Sequence, residues 1–300
     1  MAIYHTAWDL SELRLIETDV TAVPAWAFFA RAIVASFLIL VGIGLVLAHG
    51  AGFRARAFLR RLGWIALAAG AITAVTAIAF PASYIFFGIL HAIALSSLLA
   101  LPFLRAPAAL TGAVALFVMA APFAIAGPAF DTPKLAFLGL GTRLPVTNDF
   151  VPVFPWTGFV LAGVAAAPVA RRILGGQARS GGFARGLAWV GRHSLAIYLL
   201  HQPIIFGTLS GVAALAGPSE AAVAAPYMRR CTATCEVAGQ PAALCRASCA
   251  CTIDRLKAGG LWVTALGGRS DAAEIERMSD AARLCYEQAR RSAPATPSPR

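Results

Sequence analysis

His5 and Asp9 stand four residues apart, a spacing that places both side chains on one face of a helix. A carboxylate beside an imidazole selects its tautomer and stabilises its cation, which suits a general base. Two further histidines lie inside strongly apolar stretches, His91 in YIFFGILHAIAL and His201 in SLAIYLLHQPIIF. Asn148 and Asp149 open the stretch NDFVPVFPWTG, and Arg31 sits early in another apolar run. Ionisable groups inside a membrane segment are costly and by default mark a functional site. Each has a blander role to be weighed. A lone membrane histidine can bond a neighbouring helix, for about 0.6–2 kcal/mol. Asp9 and Asp149 can cap helices or pair with loop charges, and Arg31 can reach lipid headgroups instead of an acidic ligand. His49 and His193 fall at the ends of apolar runs and are expected to be solvated. Tyr4, Trp8, Trp26 and Trp156 read as an aromatic belt at the outer boundary.

The elements that must position these groups follow from composition. Of 300 residues, 59% are hydrophobic and 13% charged, and the mean hydropathy is +0.72. A soluble domain carries about 25% charged residues, so most of this chain cannot cover a water-facing surface. A spanning helix needs about 20 mostly apolar residues. Six full runs meet that length: 24–48, 63–80, 83–104, 110–127, 152–170 and 187–213. A seventh, Met1–Leu10, reads as the second half of a truncated first helix. Pro122 and Pro168 are expected to kink their helices. Gly42, Gly44 and Gly70 read as close-packing positions, not nucleotide loops, because no strand precedes them. The predicted fold is an all-α polytopic transmembrane bundle, with histidines 5, 91 and 201 in the outer half of the membrane.

The net charge of +11 does not point to nucleic acid, because the arginines cluster in short loops between apolar runs. Arg54, Arg56, Arg60 and Arg61 form one cluster, Arg105 stands alone, and Arg171, Arg172, Arg179 and Arg185 form another. Basic loops of this kind face the cytoplasm. The alternate loops hold Glu12, Arg14, Glu17 and Asp19, then Asp131, Lys134, Arg143 and Asp149. That balance places them, and everything after about Pro218, on the outer side.

The division expected is a transmembrane domain over 1–215, a cysteine-rich helical periplasmic tail over 216–291 and a disordered Pro/Ser-rich end over 292–300. The tail holds all six cysteines. Cys231 and Cys235, then Cys245 and Cys249, are two i, i+4 pairs, separated by a spacer with Gly239 and Pro241. Two antiparallel helices would nest the bridges Cys231–Cys249 and Cys235–Cys245, leaving Cys251 with Cys285. That is one of 15 connectivities. A metal centre is disfavoured, since the tail contains neither histidine nor Cys-x-x-Cys. Disulfides persist in oxidising compartments, in agreement with the outer placement read from the arginines.

Four motifs in order, YHTAWDL (4–10), ILHAIAL (89–95), NDFVPVFPWTGFVLAG (148–163) and GRHSLAIYLLHQPI (191–204), resemble the bacterial relatives of heparan-α-glucosaminide N-acetyltransferase. The resemblance covers about residues 1–213 and leaves out the tail. It implies transfer of acetyl from acetyl-CoA to an acceptor across or at the membrane; the acceptor expected here is an amine or hydroxyl of a sugar-type molecule, in the bacterial inner membrane, with no metal. It also implies a first helix longer than this one, with an Arg-Gly pair before Tyr4 and His5, and sets the catalytic histidine on His5. Catalytic roles then fall on His5, Asp9 and His201, and acceptor binding on Asn148, Asp149, His91 and Arg31. The expected partners are a small-molecule or glycan acceptor and membrane lipid; a homo-oligomer stays open. A transporter or flippase would also use buried histidines, but no inverted repeat supports one. An inert anchor for the tail would leave the histidines without a purpose.

Overall fold

A computed structural model describes residues 1–50, 52–175, 182–267 and 270–292. Arg179, Gly268 and the Pro/Ser-rich end from residue 293 lie outside the described residues. The helices are α1 (Ala2–Glu12), α2 (Pro24–His49), α3 (Ala55–Ala79), α4 (Ile89–Leu99), α5 (Ala108–Ile125), α6 (Val153–Gly175), α7 (Gly182–Arg192), α8 (Ser194–Ala216), α9 (Glu220–Val237), α10 (Ala242–Ala258), α11 (Trp262–Ala265) and α12 (Ala272–Ser292). Among the described residues there is no strand beyond one isolated bridge, Phe87 with Phe150. Five helices, α2, α3, α5, α6 and α8, are long and apolar enough to cross a bilayer. The protein is an all-α membrane protein with a disulfide-linked helical C-terminal region.

The chain forms two compact units, Met1–Tyr4 with Pro24–Pro203, and His5–Val23 with Ile204–Arg300. In the first unit α6 packs along both α2 and α5. Leu38, Val41 and Leu45 of α2 meet Val160, Leu161 and Val164 of α6 in one buried cluster. Small residues set the separation. A Cβ on Gly42 would strike the Val160 carbonyl, and one on Gly163 would strike the Ile39 carbonyl. Gly158 lies equally close to the Ala115 carbonyl and Met119 of α5. Lipid supplies no hydrophobic drive between helices, so such backbone approach is what holds them. Gly44 and Gly70, read from the sequence as packing positions, instead face open space. Among the described residues, no atom of another element lies within 4 Å of where a side chain would begin at either position.

Two apolar runs depart from the sequence reading. Run 83–104 is not one span. Residues 81–88 are non-helical, α4 is only 11 residues long, and a 3₁₀ turn covers Leu101–Arg105. At 1.5 Å per residue α4 is about 16 Å long, half a bilayer core. The run 187–213 is broken at His193 between α7 and α8. His193 is exposed as expected, but His49 is not. Only 6% of His49 is accessible, because Phe53 and Phe58 fold over its ring and the Arg54 N–H donates to its Nδ1 at 3.4 Å. Pro122 and Pro168 lie inside α5 and α6.

In the second unit, Ser219 caps α9 by accepting from the Ala222 N–H at 3.4 Å. Arg229 of α9 pairs with Asp19 at 3.1 Å. The Thr21 hydroxyl, and the Arg229 charge beside it, hold the Asp19 carboxyl below the usual carboxylate range. The central helix is α10, which packs against both α9 and α12. Bridges Cys231–Cys249 and Cys235–Cys245 tie it to α9, and Cys251–Cys285 ties it to α12. This is the nested arrangement that two antiparallel helices with i, i+4 cysteines require. Gly239, at φ +80°, makes the turn between them, a conformation that costs a side-chain-bearing residue about 1 kcal/mol or more.

Candidate functional site

The irregular segment before α4 and the segment before α6 hold each other in place. Pro81 and Gly88 disfavour continuous helix through the first, and Pro145 and Pro152 do the same for the second. Backbone groups freed in this way must find partners, above all in apolar surroundings. They do so across the pair. The Asn148 N–H donates to the Ser83 carbonyl at 2.9 Å and the Val151 N–H to the Phe87 carbonyl at 3.1 Å. The Thr147 hydroxyl donates to the Tyr84 carbonyl at 2.8 Å.

Asp149 lies at the centre of this pairing. Its Oδ2 accepts from the Ile89 N–H at 2.8 Å, so a residue 60 positions away supplies the side-chain acceptor at the start of α4. The positive end of the helix dipole favours an acceptor oxygen at that position. Gly88 is needed here because a Cβ would collide with the Asp149 carboxylate. Asn148 itself is exposed.

His91, the third residue of α4, is bonded through both ring nitrogens. Its Nδ1 accepts from the Gly88 N–H at 3.3 Å, which assigns the proton of the neutral ring to Nε2. Nε2 then donates to the Thr73 hydroxyl at 3.3 Å, and Thr73 donates to the Ile85 carbonyl at 2.7 Å. Thr76 completes the chain by accepting from the Ile85 N–H at 3.1 Å. His91 thus buttresses the loop that Asp149 caps. It is not eight residues into a helix, as an uninterrupted run 83–104 would have it.

His201 lies on α8, with Nδ1 2.6 Å from the Tyr198 carbonyl. A carbonyl can only accept, so Nδ1 carries the proton and Nε2 is the nitrogen able to take one up. Leu195, Tyr198 and Leu199, on the turns just before it, pack against the apolar core of the first unit. On α1, His5 and Asp9 share a face as their spacing requires, and Asp9 is fully buried. The Tyr4 ring packs against Trp26 at a tilt of 56°, centroids 6.2 Å apart. Arg31 is exposed, about two turns before the buried Leu38 on α2.

Between α5 and α6, Asp131 accepts from the Thr142 N–H and hydroxyl, each at 2.6 Å, and from the Arg143 N–H at 3.1 Å. The Thr142 hydroxyl and the Arg143 N–H hold its carboxyl below the usual range. A cavity of about 170 Å³ opens there, bordered by Asp131, Arg143 and Phe150. Among described residues, no group of three or more His, Cys, Asp and Glu has the arrangement of a metal centre.

Residues 1–203 match the catalytic domain of heparan-alpha-glucosaminide N-acetyltransferase. The chain belongs to that family. Every acetyltransferase motif read from the sequence falls within the match, except that the last runs one residue past its end. His5, Asp9, His91, Asp149 and His201 are all included, and the cysteine-rich tail is not. Searches of curated proteins and of solved structures find no match.

Sequence reasoning missed the hydroxyls. Thr73, Thr76 and Thr147 carry the bonds that shape the α4 loop. Ser96 and Thr157, both buried, bond each other at 2.8 Å between α4 and α6. A search for Ser and Thr inside apolar runs, where each must find a partner, would have picked out all of them but Thr147, which lies between runs.

Proposed function

We propose that this chain transfers an acetyl group from acetyl-CoA to an amine or hydroxyl of a sugar-type acceptor in a bacterial inner membrane. The observation that carries this reading is the acetyltransferase match over residues 1–203. The geometry at His201 supports it. With Nδ1–H held by the Tyr198 carbonyl at 2.6 Å, Nε2 is set to draw a proton from an acceptor. A positioned base of this kind contributes about 10²–10⁴-fold to such a transfer.

His5, on one helical face with the buried Asp9, is the second base and the one the family resemblance favours. Asp9 orients its ring and stabilises the cation formed on protonation. Acetyl-CoA, when bound, supplies an activated thioester whose sulfur leaves without protonation. Arg56, Arg60 and Arg61, all exposed at the start of α3, suit its phosphates by charge. These arginines fall on the side read as cytoplasmic, where the donor is made. Asp149, Asn148, His91 and Arg31 shape the acceptor side; the tail is periplasmic in this orientation, in keeping with its three disulfides.

The test uses detergent-purified full-length protein with acetyl-labelled CoA and a panel of glucosamine derivatives. Wild type should transfer label, while His5→Ala and His201→Ala should each lose about 10²-fold or more. Absence of both transfer and acetyl-CoA hydrolysis in the wild type would sink the proposal. Full activity in both variants would keep the reaction but remove these histidines from it.

A further inference from the structure

The tail carries a groove that the acetyltransferase match does not reach. One face of α9 supplies most of it, through positions 227, 230, 231, 234, 235 and 238, the i, i+3, i+4, i+7 stripe of a helix. On a buried helix such a stripe would be covered by a neighbour. Here it borders a cavity of about 660 Å³, with Tyr286 of α12 and Gln240 of the α9–α10 turn on its other walls. That volume lies within the range of small-molecule sites, about 300–1,000 Å³.

The floor is covalently fixed. Cys231 and Cys235 line the groove and are bridged to Cys249 and Cys245 of α10. Opposite, the Cys251–Cys285 bridge anchors α12 one residue before Tyr286. Tyr227 is braced by Trp262, ring centroids 5.5 Å apart and edge to face, and Lys257 covers the far ring at 5.8 Å. Two tyrosine rings are therefore set on helices that three disulfides cross-link.

Two of the groups around these rings, Arg230 and Gln240, present N–H donors. The Tyr286 hydroxyl donates to Gln240 Oε1 at 2.8 Å, which uses the amide's acceptor and turns its N–H₂ into a pair of oriented donors. Arg230 has five N–H donors and no acceptor, and it forms no ion pair among the described residues. Its charge nevertheless reaches the groove wall: burial pushes the Tyr227 phenol up, and Arg230 pulls it the other way. A ligand for these walls needs an apolar ring face for the tyrosines, and acceptors with a negative charge for Arg230 and Gln240. A sugar ring bearing a carboxylate combines those features: its C–H face is apolar and its acid group matches a guanidinium fork.

We propose that the groove framed by Tyr227, Arg230, Thr234, Gln240 and Tyr286 is a binding site for an acidic saccharide of the hexuronic acid class. It is separate from acetyl transfer, and the test reads binding alone.

Full-length protein in detergent is titrated calorimetrically with digalacturonate, with neutral cellobiose and with glutarate, an acid lacking a sugar ring. Digalacturonate should bind saturably, and about tenfold or more tighter than either control, the factor expected of one charge-assisted contact. Arg230→Gln should remove that preference and leave only the weak neutral-sugar binding. Tyr286→Phe keeps the ring but releases Gln240, and should weaken digalacturonate several-fold. Arg277→Gln, an exposed α12 arginine away from the groove, should change nothing. Helicity and elution volume confirm that each variant is folded. The proposal fails if no saccharide binds saturably, if glutarate matches digalacturonate, or if Arg230→Gln and Arg277→Gln lose affinity equally.

Discussion

Alanine at Gly163 and alanine at Gly44 should move stability in opposite directions, although both are glycines inside apolar helices. Replacing a helical glycine by alanine is worth about 0.8–1 kcal/mol in helix propensity. At Gly44, where nothing lies within 4 Å, that gain should appear almost undiminished. At Gly163 the new methyl meets the backbone carbonyl of Ile39. A carbonyl cannot swing aside as a side-chain tip can, so α2 and α6 must separate along a shared face. Overpacking of this kind costs about 1–3 kcal/mol. Propensity cancels between the two variants, so their difference isolates the close approach. Gly163→Ala should therefore lie about 1–3 kcal/mol below Gly44→Ala, and at or below wild type. The fraction remaining monodisperse after graded heating in detergent measures the order. Gly163→Ala surviving heat as well as Gly44→Ala would refute the claim that backbone contact sets the spacing of the bundle.

Asp149→Ala removes the acceptor at the start of α4 and should cost about 0.5–2 kcal/mol in the same heat challenge. Asp149→Asn, which keeps an oxygen for the Ile89 N–H, should recover most of it; equal losses would show that the capping bond is not what matters. In the tail, loss of Cys251–Cys285, which closes 34 residues, should cost about 4 kcal/mol on the chain-entropy relation. Loss of Cys235–Cys245, a 10-residue closure nested inside the 18-residue closure of Cys231–Cys249, should cost less, because the outer bridge still closes that stretch. Protease resistance of paired Cys→Ser variants ranks the two, and the reverse order would contradict it.

What could be read from the sequence was whatever depends on local composition. Apolar length alone specifies α2, α3, α5, α6 and α8 as membrane-scale helices. The cysteine pairing was legible because i, i+4 spacing on both sides of a Gly/Pro turn leaves antiparallel helices few ways to meet. The segment 81–88 was not, since its hydrophobicity is the same whether helical or extended. Its conformation is decided by residues 147–151, some 60 positions away. The burial of His49 also escaped, because an apolar run's end suggests water and only the fold brings Phe53 and Phe58 over the ring. Of the candidate residues, His5 with Asp9 and His201 are proposed from chemistry and spacing alone. The structural bonding of His91 required Thr73, a hydroxyl whose partner the local sequence does not indicate.

Three of the six half-cystines, Cys245, Cys249 and Cys251, belong to one helix, α10. That makes α10 a covalent hub for the C-terminal region. A protease that cuts at the Gly239 turn leaves its two products joined by the nested pair, and a cut between α10 and α12 leaves them joined through Cys285. The nicked molecule stays covalently joined until a reductant reaches it. Backbone scission and loss of the segment thereby become separate events.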